Sequence, residues 1–317
     1  MKAVRVHEFG GPEVLTYEEV PLPTPASDEV LVRVRAAGVN PPDWGRRTGY
    51  ATIPESMRPA PPTLPFIPGS DISGTVAAVG PAVTEFQEGD EVYGLVRFPS
   101  VDNPGAGYAE YATAPAAHLA PKPTTVDHVR AAAVPMAGLT AYQFLFDHIR
   151  LGEDKKVLVN GAAGGVGHFL VQLAKTRHAH VVAVASGRHR EFLDELGVDE
   201  FVDYTTTEVP AREVDYVIDT VGGPHGYRLL PALRRGGVLM PVFFGEYHRD
   251  EAAGLGISFL SGRVHSDGRQ LAELGGLIDT GRVRVGIDSV FPLADAVKAH
   301  ERAAQKHLQG KIVLELA

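Results

Sequence analysis

Hydrophobic and polar positions follow two different periods along this chain, and the change of period divides it. Residues 30–36 read Val-Leu-Val-Arg-Val-Arg-Ala, and residues 74–79 and 90–95 are further short apolar runs bounded by Gly and Pro; each predicts a β-strand. Prolines crowd residues 21–25 and 59–68, which predicts extended loops. The first part of the chain therefore reads as an irregular, mostly antiparallel β domain. Beyond Pro123 the texture changes. Residues 126–134 and 139–148 have helical spacing, and residues 156–160 form a short apolar strand followed by glycines and a helical run over 168–177. A strand over 180–185 and a helix over 188–196 come next, then strands over 200–202, 214–219, 238–242 and 257–264. Strands alternating with helices predict parallel βαβ units with helices on both faces of one sheet.

The end changes texture again, with a helix over 271–280, a strand over 283–290, a helix over 293–305 and an alternating strand over 311–316. A lone final strand needs a sheet partner, and the β domain is its expected home. The fold class is then α/β: a β domain made of residues 1–122 and 266–317, with a doubly wound parallel-sheet domain, residues 123–265, inserted into it. A length of 317 residues fits two domains.

Composition narrows the function. The net charge of −9, with no basic run, speaks against nucleic-acid binding. No stretch approaches the ~20 apolar residues that span a bilayer, and the N-terminus lacks a signal pattern, so a cytoplasmic protein with no membrane partner is expected. The chain has no cysteine, which excludes disulfides, thiolate catalysis, iron–sulfur ligation and any cysteine-based zinc site.

The most informative segment is Asn160-Gly161-Ala162-Ala163-Gly164-Gly165-Val166-Gly167, between a strand and an amphipathic helix. From Ala162 it reads A-x-G-x-x-G, the spacing of a dinucleotide-binding turn. Ala162, Gly164, Gly165 and Val166 would let backbone approach a diphosphate, and Gly167 would allow close packing of helix on strand. A tight turn with no ligand is the alternative. Cofactor choice is read at the end of the next strand, where Ala185-Ser186-Gly187-Arg188-His189-Arg190 has no carboxylate for ribose hydroxyls. Ser186 and Arg188 could instead hold a 2′-phosphate, which predicts NADPH. The alternative is a solvated helix start, although cations there are disfavoured without an anion nearby.

These residues, with Ala36-Ala37-Gly38-Val39-Asn40-Pro41-Pro42-Asp43, Pro68-Gly69-Ser70-Asp71-Ile72-Ser73-Gly74, Ala137-Gly138-Leu139-Thr140-Ala141-Tyr142, Asp219-Thr220-Val221-Gly222-Gly223 and Gly310-Lys311-Ile312-Val313, make the chain resemble the medium-chain dehydrogenase/reductase superfamily. Specifically, it resembles the zinc-free quinone-oxidoreductase (zeta-crystallin-like) branch. The resemblance covers essentially the whole chain and implies a GroES-like catalytic domain with an inserted Rossmann domain. Zinc alcohol dehydrogenases of the superfamily carry Cys where Asn40 stands and Gly-His-Glu where Gly69-Ser70-Asp71 stand. Asn and Ser are poor zinc ligands, so a zinc-free protein is expected. Without a Lewis acid to stabilise an alkoxide, hydride addition to an already activated acceptor is the easier chemistry. The expected substrate is a small-molecule quinone or an α,β-unsaturated carbonyl.

The resemblance also implies roles. Asn40 matches the family's active-site Asn, with a turn residue as the alternative. Tyr50 lies near where related enoyl-thioester reductases place a proton donor, one residue short in spacing, with an ordinary loop tyrosine as the alternative. Asp43 reads as structural. Thr140 matches a threonine beside the nicotinamide ribose, and Tyr204 a tyrosine near the adenosine phosphate. Val242 and Phe243 stand where backbone holds the carboxamide, and Lys311 is expected near the cofactor phosphates. Acceptor-pocket walls are expected from residues 51–65, 97–107 and 245–256. The family often pairs Rossmann sheets edge to edge, so a homodimer through residues 257–264 is expected. Alternatives are an enoyl-thioester reductase or reductive cyclase, and, in another class, a non-catalytic NADPH-binding sensor or structural protein.

Overall fold

A computed structural model describes all residues except 52, 54, 56, 57, 98–105, 150 and 210–212. Parts of two expected pocket walls, 51–65 and 97–107, therefore lie outside the described residues.

The N-terminal part begins with an antiparallel pair, β1 (Lys2–Val6) and β2 (Leu15–Glu19). An antiparallel sheet follows, built from β3 (Glu29–Gly38), β4 (Asp71–Val79), β5 (Glu91–Leu95), β6 (Tyr111–Pro115) and β7 (Leu119–Pro121). Its inward positions, among them Val30, Val32, Val34, Ile72, Val76 and Val92, are buried together with Val4 and Val6 of β1. Between β3 and β4 the chain makes the short helix α1 (Pro41–Arg47), with Pro at its first turn, where a missing N–H costs nothing.

Two helices, α2 (His128–Ala132) and α3 (Pro135–Tyr142), lead into a second, all-parallel sheet. Its strands are β8 (Lys156–Asn160), β9 (His180–Ala185), β10 (Glu200–Asp203), β11 (Val214–Asp219), β12 (Leu233–Pro241) and β13 (Ser258–Phe259). The spatial order is β10-β9-β8-β11-β12-β13, a doubly wound arrangement whose direction of winding reverses between β8 and β11. Valines and leucines of β8, β9 and β11 are fully buried because helices cover both faces. On one face lie α3 and α4 (Gly167–Lys175), whose Phe169, Leu170 and Leu173 join the core formed by Val157, Val159 and Val181.

The expected helix over 139–148 is α-helical only to Tyr142 and continues as a π-helical turn, Gln143–His148. The strand expected over 257–264 is just Ser258–Phe259, and that expected over 283–290 is β14 (Ile287–Pro292). Between them, α7 (Gly268–Asp279, after α5, Arg190–Glu195, and α6, Arg249–Gly254) packs on α3. After α8 (Ala296–Ala304), the last strand, β15 (Lys311–Glu315), pairs antiparallel with β3 and parallel with β14. The chain end thus returns to the first sheet, carrying Gly310 and Lys311 to the seam between the two sheets.

Candidate dinucleotide and acceptor site

At the winding reversal, side chains tie the carboxyl ends of β8 and β11 together. Asn160 donates from Nδ2 to Asp219 Oδ1 (2.8 Å), and Thr220 Oγ1 donates to the Asn160 carbonyl (2.7 Å). Asp219 is fully buried, and its carboxylate also accepts from the N–H groups of Val221 (3.0 Å) and Gly222 (3.2 Å) and from the Tyr247 hydroxyl (2.8 Å). Burial and the neighbouring Asp219 charge push the Tyr247 hydroxyl well above its ordinary range, so it stays a donor. These residues form the floor of the crevice where open parallel sheets bind ligands.

Above the floor runs the glycine loop. Gly161 has φ +75°, a left-handed conformation suited to glycine. A Cβ on Gly167 would lie 2.2 Å from the Gly161 carbonyl oxygen and 2.7 Å from Ala162 Cα, so glycine alone lets α4 start against β8. Val166 immediately precedes α4 and is already helical in conformation. The His168 N–H donates to the Gly164 carbonyl (3.1 Å) and those of Phe169 and Leu170 to the Val166 carbonyl (3.2 and 3.0 Å), which leaves the amides of Gly165, Val166 and Gly167 at the helix entrance for an anion. The loop is pinned from behind by His168, which is fully buried. Gly286 N–H can only donate, so His168 Nε2 accepts from it (3.2 Å) and Nδ1–H donates to the Gly164 carbonyl (2.9 Å). Burial pushes the His168 pKa down to about 4, consistent with this neutral ring.

At the far end of the loop, Ser186 follows β9, and its Oγ is buried without a hydrogen-bond partner. Arg188 donates from Nη2 to the His307 carbonyl and from Nε to His189 Nε2 (3.1 Å). Tyr204, half exposed, pairs through its hydroxyl with His307 Nδ1 (3.3 Å), and His189 Nδ1 donates to Gln309 Oε1 (3.0 Å). His307 and Gln309 were invisible as site residues in the sequence because they arrive from the returning chain end, more than a hundred residues away. One carboxylate does stand here, from the neighbouring strand: Asp203, whose Oδ2 lies 2.4 Å from where a Gly187 Cβ would be. It is engaged by the Thr205 N–H (2.9 Å) and Oγ1 (2.7 Å), which hold it below the usual carboxylate range.

The acceptor side is a buried polar seam. Asn40 precedes α1; its N–H donates to Asp43 Oδ2 (2.8 Å), and its side-chain Nδ2 donates to Asp71 Oδ2 (2.9 Å). Asp71 Oδ1 accepts from the Met136 N–H (3.0 Å) at the start of α3. Lys311, 4% exposed, donates from Nζ to the Val39 carbonyl (2.9 Å) and to Asn40 Oδ1. Its stem lies under the glycine loop: a Cβ on Gly165 would be 3.0 Å from Lys311 Cδ. The aliphatic part of Lys311 thus meets the loop, while the ammonium faces Asn40. Asp43 is tied down as a structural residue should be, accepting from the Gly69 N–H (3.2 Å) and the Tyr108 hydroxyl (3.1 Å). Burial pushes the Asp43 carboxyl up to about 7 and that of Asp71 up to about 6, and pushes the Lys311 ammonium down.

Tyr50 sits just beyond α1 with φ +62°, its N–H on the Gly45 carbonyl (2.7 Å) and its side chain hydrogen-bonded to Arg46. Thr140 is buried in α3 and donates from its hydroxyl to the Met136 carbonyl (2.6 Å). Val242 N–H donates to the Asp219 carbonyl (2.9 Å) just past β12, and Phe243 and Phe244 are exposed beside it. Residues Val264, His265 and Ser266, past the carboxyl end of β13, face His118 across a cavity of about 370 Å³. Among the described residues no three His, Cys, Asp or Glu side chains converge as a metal ion needs.

Two family models match this chain: the alcohol dehydrogenase GroES-like domain over residues 26–124 and the zinc-binding dehydrogenase over residues 196–314. A chloroplastic quinone-oxidoreductase homolog of Spinacia oleracea is 33% identical, covering 99% of this chain and 98% of its own. The chloroplastic NADPH-dependent alkenal/one oxidoreductase of Arabidopsis thaliana is 32% identical over 99% of this chain and 79% of its own. The crystal structure of Escherichia coli quinone oxidoreductase complexed with NADPH superposes with a TM-score of 0.88 at 25% identity, covering all of both chains. The order of the two sheets, the loop at the winding reversal and these end-to-end similarities agree, and the chain belongs to the medium-chain dehydrogenase/reductase superfamily, in its quinone oxidoreductase branch.

Proposed function

We propose that this chain is an NADPH-dependent oxidoreductase that reduces a quinone or the activated double bond of an α,β-unsaturated carbonyl, with no resident zinc. The observation that carries the reading is the glycine loop at the winding reversal, with Gly167 packed too tightly for any side chain and the N–H groups of Gly165, Val166 and Gly167 not taken up by backbone carbonyls. The residues present fit the cofactor. Ser186 offers a buried hydroxyl lacking a partner, and Arg188 and Tyr204 flank it, a donor set suited to a 2′-phosphate. Two of the relatives, an NADPH-dependent alkenal/one oxidoreductase and a quinone oxidoreductase complexed with NADPH, support the same choice.

NADPH supplies the hydride when bound. The chain's own residues bind, orient and stabilise charge. The loop amides hold the diphosphate, and Thr140 and the backbone at Val242 and Phe243 border the nicotinamide side of the crevice. As hydride reaches a conjugated acceptor, negative charge develops on its carbonyl oxygen, which needs a donor rather than a base. Asn40 can supply an N–H there, and Tyr50 is the candidate source of the proton that completes reduction. A zinc-independent site follows from donor chemistry: the carboxamide of Asn40 is committed to Lys311 and Asp71, and Ser70 stands where a histidine ligand would be needed. We further infer a homodimer joined at β13, the edge of the parallel sheet, whose outer backbone groups have no strand partner among the described residues.

The test is loss of NADPH absorbance, at roughly 340 nm, with quinones, enones and crotonyl thioesters as acceptors. Turnover of quinones or enones is expected. Turnover of thioesters alone would replace the reading with an enoyl-thioester reductase, and silence with every acceptor would point to a binding protein. Elemental analysis finding one activity-linked zinc per chain would refute the metal-free site.

A further inference from the structure

We propose that Lys311 is a positioning residue: it fixes the carboxamide of Asn40 so that a donor, not an acceptor, is presented to the substrate. The inference rests on the oxidoreductase reading above and gives its buried seam a task.

A free asparagine carboxamide has two orientations half a turn apart, with oxygen and nitrogen exchanged, and little energy separates them. Here its two ends meet partners that cannot be exchanged. The Lys311 ammonium can only donate, so the atom it meets must be Oδ1. Opposite, the Asp71 carboxylate oxygen accepts from Nδ2 at 2.9 Å. The carboxamide therefore bridges a buried cation and a buried carboxyl group, and flipping it would set donor against donor. Asp71 is itself held by the Met136 N–H, and the backbone of Asn40 by Asp43. What remains unspent on Nδ2 is its second N–H, the group a developing enolate or hydroquinone oxygen needs.

The same lysine joins this end to the cofactor loop. Its stem passes Gly165, the preceding Gly310 N–H donates to the Ala163 carbonyl (2.8 Å), and the Lys311 N–H donates to the Gly286 carbonyl (3.0 Å). Gly286 is also the residue that donates to His168, the pin of the loop. The orientation of Asn40 is thereby set from the element that also braces the diphosphate turn.

A merely structural Lys311, present only to balance Asp71 and Asp43, makes different predictions, as does a Lys311 that binds phosphate. In Lys311→Met the stem is kept and the ammonium lost. We expect kcat to fall by about 10- to 100-fold, the range for losing a group that orients a catalytic ligand, with NADPH affinity changed less than about threefold. In the double variant Lys311→Met/Asp43→Asn, a negative charge is removed with the positive one while Asp71 still accepts from Asn40 Nδ2; the melting temperature should recover while kcat stays low. Recovery of kcat in the double variant would reduce Lys311 to charge balance, and a salt-sensitive loss of NADPH affinity in the single variant would make it a phosphate ligand; either overturns the proposal. A readout free of turnover is a high-resolution crystal structure of the double variant, refined with its hydrogen-bond network. Asn40 should be rotated or split between two orientations, and an unchanged single orientation would defeat the proposal. If Lys311→Met does not fold, Lys311→Gln offers Asn40 an amide that can either donate or accept and so no longer dictates the carboxamide orientation; wild-type kcat in that variant would equally defeat it. Failure of the wild-type enzyme with every acceptor would instead count against the function, since the crystallographic outcome does not depend on it.

Discussion

The glycine loop and the polar seam beneath it hold their geometry by opposite means. The loop is backbone: consecutive residues, no side chains to speak of, and a shape enforced by what glycine permits. The seam is side chain: Asn40, Asp43, Asp71, Tyr108 and Lys311 come from separate elements and meet through hydrogen bonds between groups that are costly to bury alone. A site for an anion common to many substrates can be written locally, in a short stretch of sequence. A site that must orient one particular acceptor is assembled from afar.

The comparison is broken most severely at Gly167. Gly167→Ala puts a Cβ into the Gly161 backbone, so a loss of about 3 kcal/mol or more in stability is expected, with NADPH binding lost. Denaturant unfolding and NADPH titration measure both; a well-folded variant that binds normally would mean that the loop is not held by shape.

Next is the pin. His168 is depressed to about 4 in the fold from an ordinary 6.5, so its contribution is fully present above pH 6.5 and is lost as pH falls towards 4, up to about 3 kcal/mol in all. Asp43 and Asp71, pushed up by burial, act in the opposite sense, their contribution being lost as pH rises from about 4 to 7. Comparing His168→Gln with wild type isolates the histidine. The unfolding free energy lost on substitution should be larger at pH 7.5 than at pH 4.5, roughly either side of that window, and equal losses at the two pH values would remove His168 from this role.

Arg188→Ala sharpens the contrast at Ser186 and Arg188, where we propose that a 2′-phosphate is recognised by charge. NADPH should bind about 30-fold more weakly, some 2 kcal/mol for a hydrogen bond to a charged group, with NADH little changed in isothermal titration. Equal losses would contradict a 2′-phosphate at Arg188, and would turn attention to the nearby Asp203. The smallest effect is expected for Gly165→Ala, whose Cβ would press only on the flexible stem of Lys311 (3.0 Å) and meet the Gly310 carbonyl oxygen at an ordinary 3.7 Å. Its melting curve should shift by less than about 1 kcal/mol, and a loss matching Gly167→Ala would show that the whole turn, not its helix junction, is close-packed.

What the sequence disclosed follows the same divide. The expected strands over 156–160, 180–185 and 214–219 coincide with β8, β9 and β11, since central parallel strands are covered on both faces and read as unbroken apolar runs with sharp ends. The expected strand over 257–264 shrank to Ser258–Phe259 because an edge strand pairs on one side only. Residues 283–285, Val-Arg-Val, looked like strand but alternate for another reason: Val283 is buried in the core shared with α7, and the Arg284 N–H bonds Gln172 Oε1 (2.7 Å). The glycine loop was legible because its residues are consecutive. The partners of Asn40 were not, because Asp71 lies 31 residues away and Lys311 271, and no local pattern encodes such a meeting.

One short stretch of chain touches both ends of the cofactor bay. His307 receives Arg188 and Tyr204, Gly310 holds Ala163, and Lys311 reaches Asn40. Covalent geometry allows each residue at most about 3.6 Å of reach, so this stretch acts as a ruler between the anchor points. Inserting or deleting a single residue between His307 and Lys311 would put the two ends out of step by roughly that length, a misfit that no repacking of the neighbouring helices could absorb.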